Sequence, residues 1–173
     1  MNKIFHSLSL SLLLGFAAFR LDAAGIDELF PANLQDAAGK EVSRDTLKGK
    51  IVGIYFSAEW CPPCRGFTPS LVKFRDANQE DFEIVFVSSD RSAAAQKEYM
   101  SKYKMNWLAV GNRSGDAAKL KKKYKVRGIP MLVIVDANGK TITTNGRGDV
   151  SRNPDGAIAS WKKTSGKPDK SKS

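Results

Sequence analysis

Ile51-Val52-Gly53-Ile54-Tyr55-Phe56-Ser57-Ala58-Glu59-Trp60-Cys61-Pro62-Pro63-Cys64-Arg65-Gly66-Phe67 is the stretch that decides the fold. Its first six residues form an almost continuous apolar run, the pattern of a central strand covered on both faces. Beyond Cys61, Phe67, Leu71 and Phe74 recur at spacings of four and three, which marks one buried face of a helix. The two cysteines therefore stand where a buried strand gives way to a helix. Pro62 and Pro63 restrict the loop between them and remove two backbone donors. Pro69 lies further along the same helix, where a missing donor and a crowded ring predict a kink.

Working outward, Phe82 to Val87 and Met131 to Val135 are two more apolar runs of strand length. Asp136-Ala137-Asn138-Gly139 reads as a hairpin turn into Lys140 to Thr144. Between the runs lie two helical segments, Ser92 to Lys104 and Asp116 to Lys125, with capping serines at Ser92 and Ser114. Residues 25–50 are polar, with turns at Ala38-Gly39-Lys40 and Lys48-Gly49-Lys50, and predict a short strand or hairpin ahead of the main sheet. Strand–helix–strand order predicts an α/β sandwich. Its central mixed sheet starts parallel, ends in an antiparallel hairpin and carries helices on both faces.

The chain has two cysteines and no more. A bridge between Cys61 and Cys64 closes so small a loop that it removes little unfolded-chain entropy, so it is a poor structural staple. Zinc needs about four ligands; the single histidine, His6, lies far off in the N-terminal segment, so no metal is expected. Redox chemistry remains. At a helix N-terminus, free N–H groups and the dipole favour a thiolate on Cys61, the proposed nucleophile. Cys64, about one turn later on the same face, is the resolving thiol. Ile129-Pro130, opening a buried strand, suits a cis bond in a tight turn. Facing Cys61, its backbone would pair with an extended substrate strand. No organic cofactor is called for.

The ends differ from the middle. Lys3, the mostly apolar run Ile4 to Phe19 and the small residues Ala23, Ala24 and Gly25 read as an export signal over residues 1–24, with an uncleaved anchor as the alternative. Export would place the chain in a periplasmic or secreted compartment. Residues 25–161 form the domain, and 162–173 read as a basic disordered tail. The formal charge is +10, concentrated in Lys119, Lys121, Lys122, Lys123, Lys125 and Arg127 and in the tail. A solvated helix face is the plain reading; weak contact with an anionic membrane or an acidic partner is the other. A sequence-specific nucleic-acid partner is not expected. A monomer is.

Several blocks resemble one family. Phe56 to Pro69, Phe82 to Asp90, Trp107-Leu108-Ala109-Val110 and Val126 to Pro130 resemble, in order and spacing, the tryparedoxin and nucleoredoxin branch of the thioredoxins. The resemblance covers about residues 34 to 161. It implies a thioredoxin fold, a cis Pro130 opposite the dithiol, and cycling between dithiol and disulfide. Trp60, Pro62, Pro63, Ile129 and Pro130 would then contact substrate, with Trp60 packing beside Cys61. Arg65 either holds the local field positive or is an exposed helix residue.

Two departures matter. Many thioredoxins carry a buried aspartate six positions before the first active-site cysteine, where this chain has Tyr55, as is usual in the tryparedoxin branch. The family's aromatic–proline–tryptophan ending is kept only as Ala159-Ser160-Trp161. The expected activity is reduction of protein disulfides, fed by an upstream thiol donor that can be membrane-embedded. A disulfide-forming oxidant is the second reading, and a non-catalytic binding module at the cell envelope the third.

Overall fold

The computed structural model describes residues 24–165; the segment read as an export signal, apart from Ala24, and the last part of the segment read as a tail lie outside them. One mixed sheet of seven strands organises the chain. The strands are β1 (Asn33–Gln35), β2 (Glu41–Ser43), β3 (Ile51–Ser57), β4 (Phe82–Ser88), β5 (Leu108–Ala109), β6 (Met131–Val135) and β7 (Thr141–Thr143). Their spatial order is β2-β1-β5-β4-β3-β6-β7. β3 runs parallel to β4, and β4 to β5, whereas β6 lies antiparallel to β3 and β7 to β6. The expected parallel start and antiparallel close are both present.

Strand alternation builds two cores at once. Ile51 and Tyr55 of β3, Phe82, Ile84 and Phe86 of β4, and Leu132 and Ile134 of β6 face one cluster. Val52, Ile54 and Phe56, Val85 and Val87, and Val133 and Val135 face the other. The first face is covered by α2 (Pro62–Ala77) through Phe67, Leu71 and Phe74, and by α3 (Ala93–Lys102) through Tyr99 and Met100. α5 (Gly146–Arg152) and α6 (Pro154–Ser165) complete that layer with Val150, Ala157 and Trp161. α1 (Ala24–Leu29) and α4 (Gly115–Lys123) cover the second face with Ile26, Leu29, Ala117 and Leu120. Gly53 lets the layers close, because a β-carbon there would meet the Phe82 ring at 2.7 Å and Leu132 at 3.1 Å.

Local signals explain the element starts. Ser92 Oγ accepts from the Ala95 N–H and Ser114 Oγ from the Ala117 N–H, so both serines cap as expected. Residues 33–43 form the expected hairpin, turning at Gly39 with φ 82°, and it joins the sheet itself through the antiparallel Gln35–Ala109 pairing of β1 with β5. α2 continues on both sides of Pro69. One boundary needs correction: Lys162 to Ser165, read as the start of the disordered tail, are the last residues of α6. Trp161 is the reason. Its ring is buried against Phe74 and Phe82 at 5.6 and 5.5 Å, and its indole N–H donates to Asp149, which anchors the helix in mid-course. Among the described residues, no helix is long and apolar enough to cross a membrane.

Candidate active site

β3 ends at Ser57 and α2 begins at Pro62, so four residues carry the chain from sheet to helix. Cys61 is the N-cap of α2, in an extended conformation, and the two prolines fill the first helical positions. Pro is favoured there because its missing N–H has no partner to lose. The consequence refines the sequence reading. Two of the N–H groups expected to face the thiolate do not exist, and the Cys64 and Arg65 N–H groups both donate to the Cys61 carbonyl. What the helix offers Cys61 is its dipole rather than a set of free donors.

Cys61 and Cys64 are joined as a disulfide, with their Cα atoms 5.2 Å apart. Cys61 is 4% exposed and Cys64 fully buried, so an incoming group meets Cys61 first. Pro62 and Pro63 are exposed beside it. The Ile129–Pro130 bond is cis, and the Ile129 carbonyl oxygen lies 3.7 Å from Cys61 Sγ. Ile129 packs on the small cluster of Ala58, Cys61 and Cys64. Residues 68 apart in sequence thus meet at one point.

Trp60 is not core. It stands 53% exposed, the one large apolar side chain so exposed among the described residues, yet its indole N–H donates to the Ser89 carbonyl at 3.1 Å. Arg65 fits neither sequence reading fully. It is half-buried, and its guanidinium donates to the Glu59 carbonyl at 2.8 Å, so it braces the loop that presents Trp60 and Cys61. Glu59 itself pairs with Lys102 at 3.3 Å.

Two groups of residues escaped the sequence reading. The first is Asp90, which is 1% exposed and accepts from the Glu59 N–H at 2.8 Å and the Ser88 hydroxyl at 2.7 Å. The Asn112 amide donates to the Asp90 carbonyl and to Ser88 Oγ, so it closes this clamp. An aspartate just past a buried strand run was the available signal, since such residues bond to nearby backbone at turns. The second is a hydroxyl cluster behind Cys64. Tyr55 Oη lies 2.9 Å from Thr68 Oγ1, Tyr99 Oη lies 2.7 Å from Thr68 Oγ1 and 3.1 Å from Ser57 Oγ, and Thr68 donates to the Cys64 carbonyl. Burial, followed by the neighbouring Tyr99, pushes the Tyr55 hydroxyl pKa well above the usual tyrosine range. Tyr99 is raised as well, chiefly by burial. The groups packed behind Cys64 here are thus neutral hydroxyls.

Among the described residues, no group of three His, Cys, Asp or Glu side chains stands together as a metal site. The strand-to-helix Cys-Pro-Pro-Cys pair, facing a cis proline across a mixed sheet, defines a thioredoxin-fold redox protein. Comparison with known proteins agrees. Residues 49–141 match a family model described as thioredoxin-like. Tryparedoxin of Trypanosoma brucei brucei is 39% identical over 144 residues, covering 80% of this chain and 98% of that protein. Nucleoredoxin of Mus musculus is 42% identical over 128 residues, 71% of this chain, but the match spans only 29% of nucleoredoxin's length. Among solved structures, tryparedoxin from Trypanosoma brucei superposes with a TM-score of 0.71 at 38% identity, over 79% of this chain and 97% of the other. Tryparedoxin II from C. fasciculata gives 0.70 at 39%, over 76% and 90%. The chain belongs to the thioredoxin-like family, beside the tryparedoxins and nucleoredoxins.

Proposed function

We propose that the chain is an exported reductase of protein disulfides that works through a mixed disulfide on Cys61. The single observation behind the mechanism is the asymmetry of the pair: Cys61 reaches the surface beside Ile129 and Cys64 does not. The Cys61 thiolate attacks one sulfur of the substrate disulfide; that S–S bond breaks and the leaving sulfur takes up a proton. Cys64, deprotonated, then attacks Cys61 Sγ. The second substrate thiol departs, and the chain is left with the Cys61–Cys64 disulfide. Two electrons have moved from the dithiol to the substrate. An external thiol donor restores the dithiol by the reverse exchange.

Ile129 lies just ahead of the sheet ladder, which begins at the Met131–Phe56 pairing. In this reading its peptide groups pair with an extended substrate segment, with Trp60, Pro62, Pro63 and Pro130 around the scissile bond. The protein works as a monomer, and any membrane contact is weak and carried by its basic residues. Export rests on the composition of residues 1–24, with their charged start and apolar run.

Cys61→Ser should abolish turnover of a disulfide substrate. Cys64→Ser should instead accumulate the covalent complex, visible on a non-reducing gel. Full activity in both variants would contradict this mechanism.

A further inference from the structure

Nineteen residues from Ala117 to Val135 contain six cations and no carboxylate. Lys119, Lys122 and Lys123 are spaced to share the outer face of α4, and all three are exposed. Lys119 is engaged, donating to the Glu28 carbonyl, and Lys121 turns inward onto the Ser88 carbonyl at 3.0 Å. Lys122, Lys123, Lys125 and Arg127 are different: all four are exposed, and among the described residues their side chains have no hydrogen-bond or ion-pair partner. Lysines in the last turn of α4 complement the helix dipole. That accounts for Lys122 and Lys123. It does not account for Lys125 and Arg127, which lie past the end of the helix.

The location is what gives these charges a use. Lys125 takes φ 48° just after the C-cap Tyr124, where glycine is the ordinary choice, and turns the chain toward Ile129. Arg127 is two residues from Ile129, within about 8 Å along the backbone, and Lys125 four residues, within about 15 Å. The Ile129 carbonyl is itself 3.7 Å from Cys61 Sγ. A substrate segment laid against Ile129 therefore runs beside this ridge. Across the site, the groove by Trp60 is lined by Glu59, Asp90 and Glu98 together with Arg91. Glu59 is paired with Lys102 and Asp90 is buried and hydrogen-bonded within its own loop, which leaves Glu98 and Arg91, one exposed charge of each sign, on that side.

We propose that Lys122, Lys123, Lys125 and Arg127 form a docking ridge that selects polypeptide substrates with acidic residues flanking their disulfide. This rests on the reductase reading and adds a substrate class to it. Charge complementarity next to a reacting centre raises encounter rates about 10- to 1000-fold at low salt and fades as salt screens it.

The test uses the full chain, dithiothreitol as electron source, and two synthetic peptides. Each is closed by one disulfide, and they differ only in carrying acidic or lysine residues around it. At low ionic strength, kcat/KM for the acidic peptide should exceed that for the basic one by about 10-fold. The preference should collapse at about 0.5 M salt, where the screening length falls to about 4 Å. The variant K122E/K123E/K125E/R127E should reverse the preference. K162E/K163E, on α6 at the opposite end of β4, should keep it while changing net charge in the same direction. Equal kcat/KM for the two peptides, or the same loss of preference in both variants, would overturn the ridge and leave the reductase reading standing. A chain that reduces neither peptide overturns both.

Discussion

Tyr55 and Tyr99 show how single residues set conditions on this protein. Both hydroxyls are held neutral in the cluster behind Cys64, and burial raises both above the ordinary value of 10.0. A group whose folded pKa lies above its unfolded one stabilises the fold fully below the unfolded value. That contribution is lost as pH rises through the folded value. Stability should therefore decline as pH climbs above about 10, as the unfolded tyrosines ionise and the folded ones resist. Tyr55→Phe should flatten that alkaline decline, measured as urea midpoint against pH, and should cost about 1 kcal/mol at neutral pH for the lost hydrogen bonding. An unchanged alkaline slope in the variant would mean that Tyr55 is not among the groups responsible. At this scale the sequence was uneven to read. Cys61, Cys64 and Pro130 stood out because their signals are local. Tyr99, which meets Ser57 across 42 positions, and Asp90, which holds the Glu59 N–H across 31, depend on contacts that only the fold creates.

At the scale of elements, legibility followed burial. β3, β4 and β6 announced themselves because strands covered on both faces need apolar residues at every position. α3 and α4 were readable from Ser92 and Ser114, whose hydroxyls supply the caps. β5 is only Leu108–Ala109, too short to carry a period of its own. α5 is Gly-rich, Gly146-Arg147-Gly148-Asp149, a composition with poor helix propensity. It is held by packing instead: Gly146 sits so close to β6 that a β-carbon would meet Ile134 at 2.7 Å. α6 runs past Trp161 into residues read as tail, anchored by the burial of that tryptophan against Phe74. The site inherits its geometry from these elements. β3 and α2 place the dithiol, the β4–α3 connection clamps the loop through Asp90, and the approach to β6 supplies Ile129.

For the whole molecule, two cores on opposite faces of one sheet leave a redox pair just past the C-terminal end of β3. Three features bear on its potential: the α2 dipole, the prolines that remove direct donors to Cys61, and the hydroxyl cluster behind Cys64. Export, proposed from residues 1–24, predicts that the chain recovered from its source begins at Ala24 or Gly25; N-terminal sequencing showing an intact Met1 on chain confined to the cytoplasm would remove it. The central claim, that electrons flow from Cys61 and Cys64 to substrate, is a statement about potential. Equilibrating the purified protein with dithiothreitol and glutathione buffers, then trapping free thiols, measures it directly. The account predicts a value near the thioredoxin end of the scale, about −270 mV. A value near −120 mV would contradict it and make the protein a donor of disulfides instead.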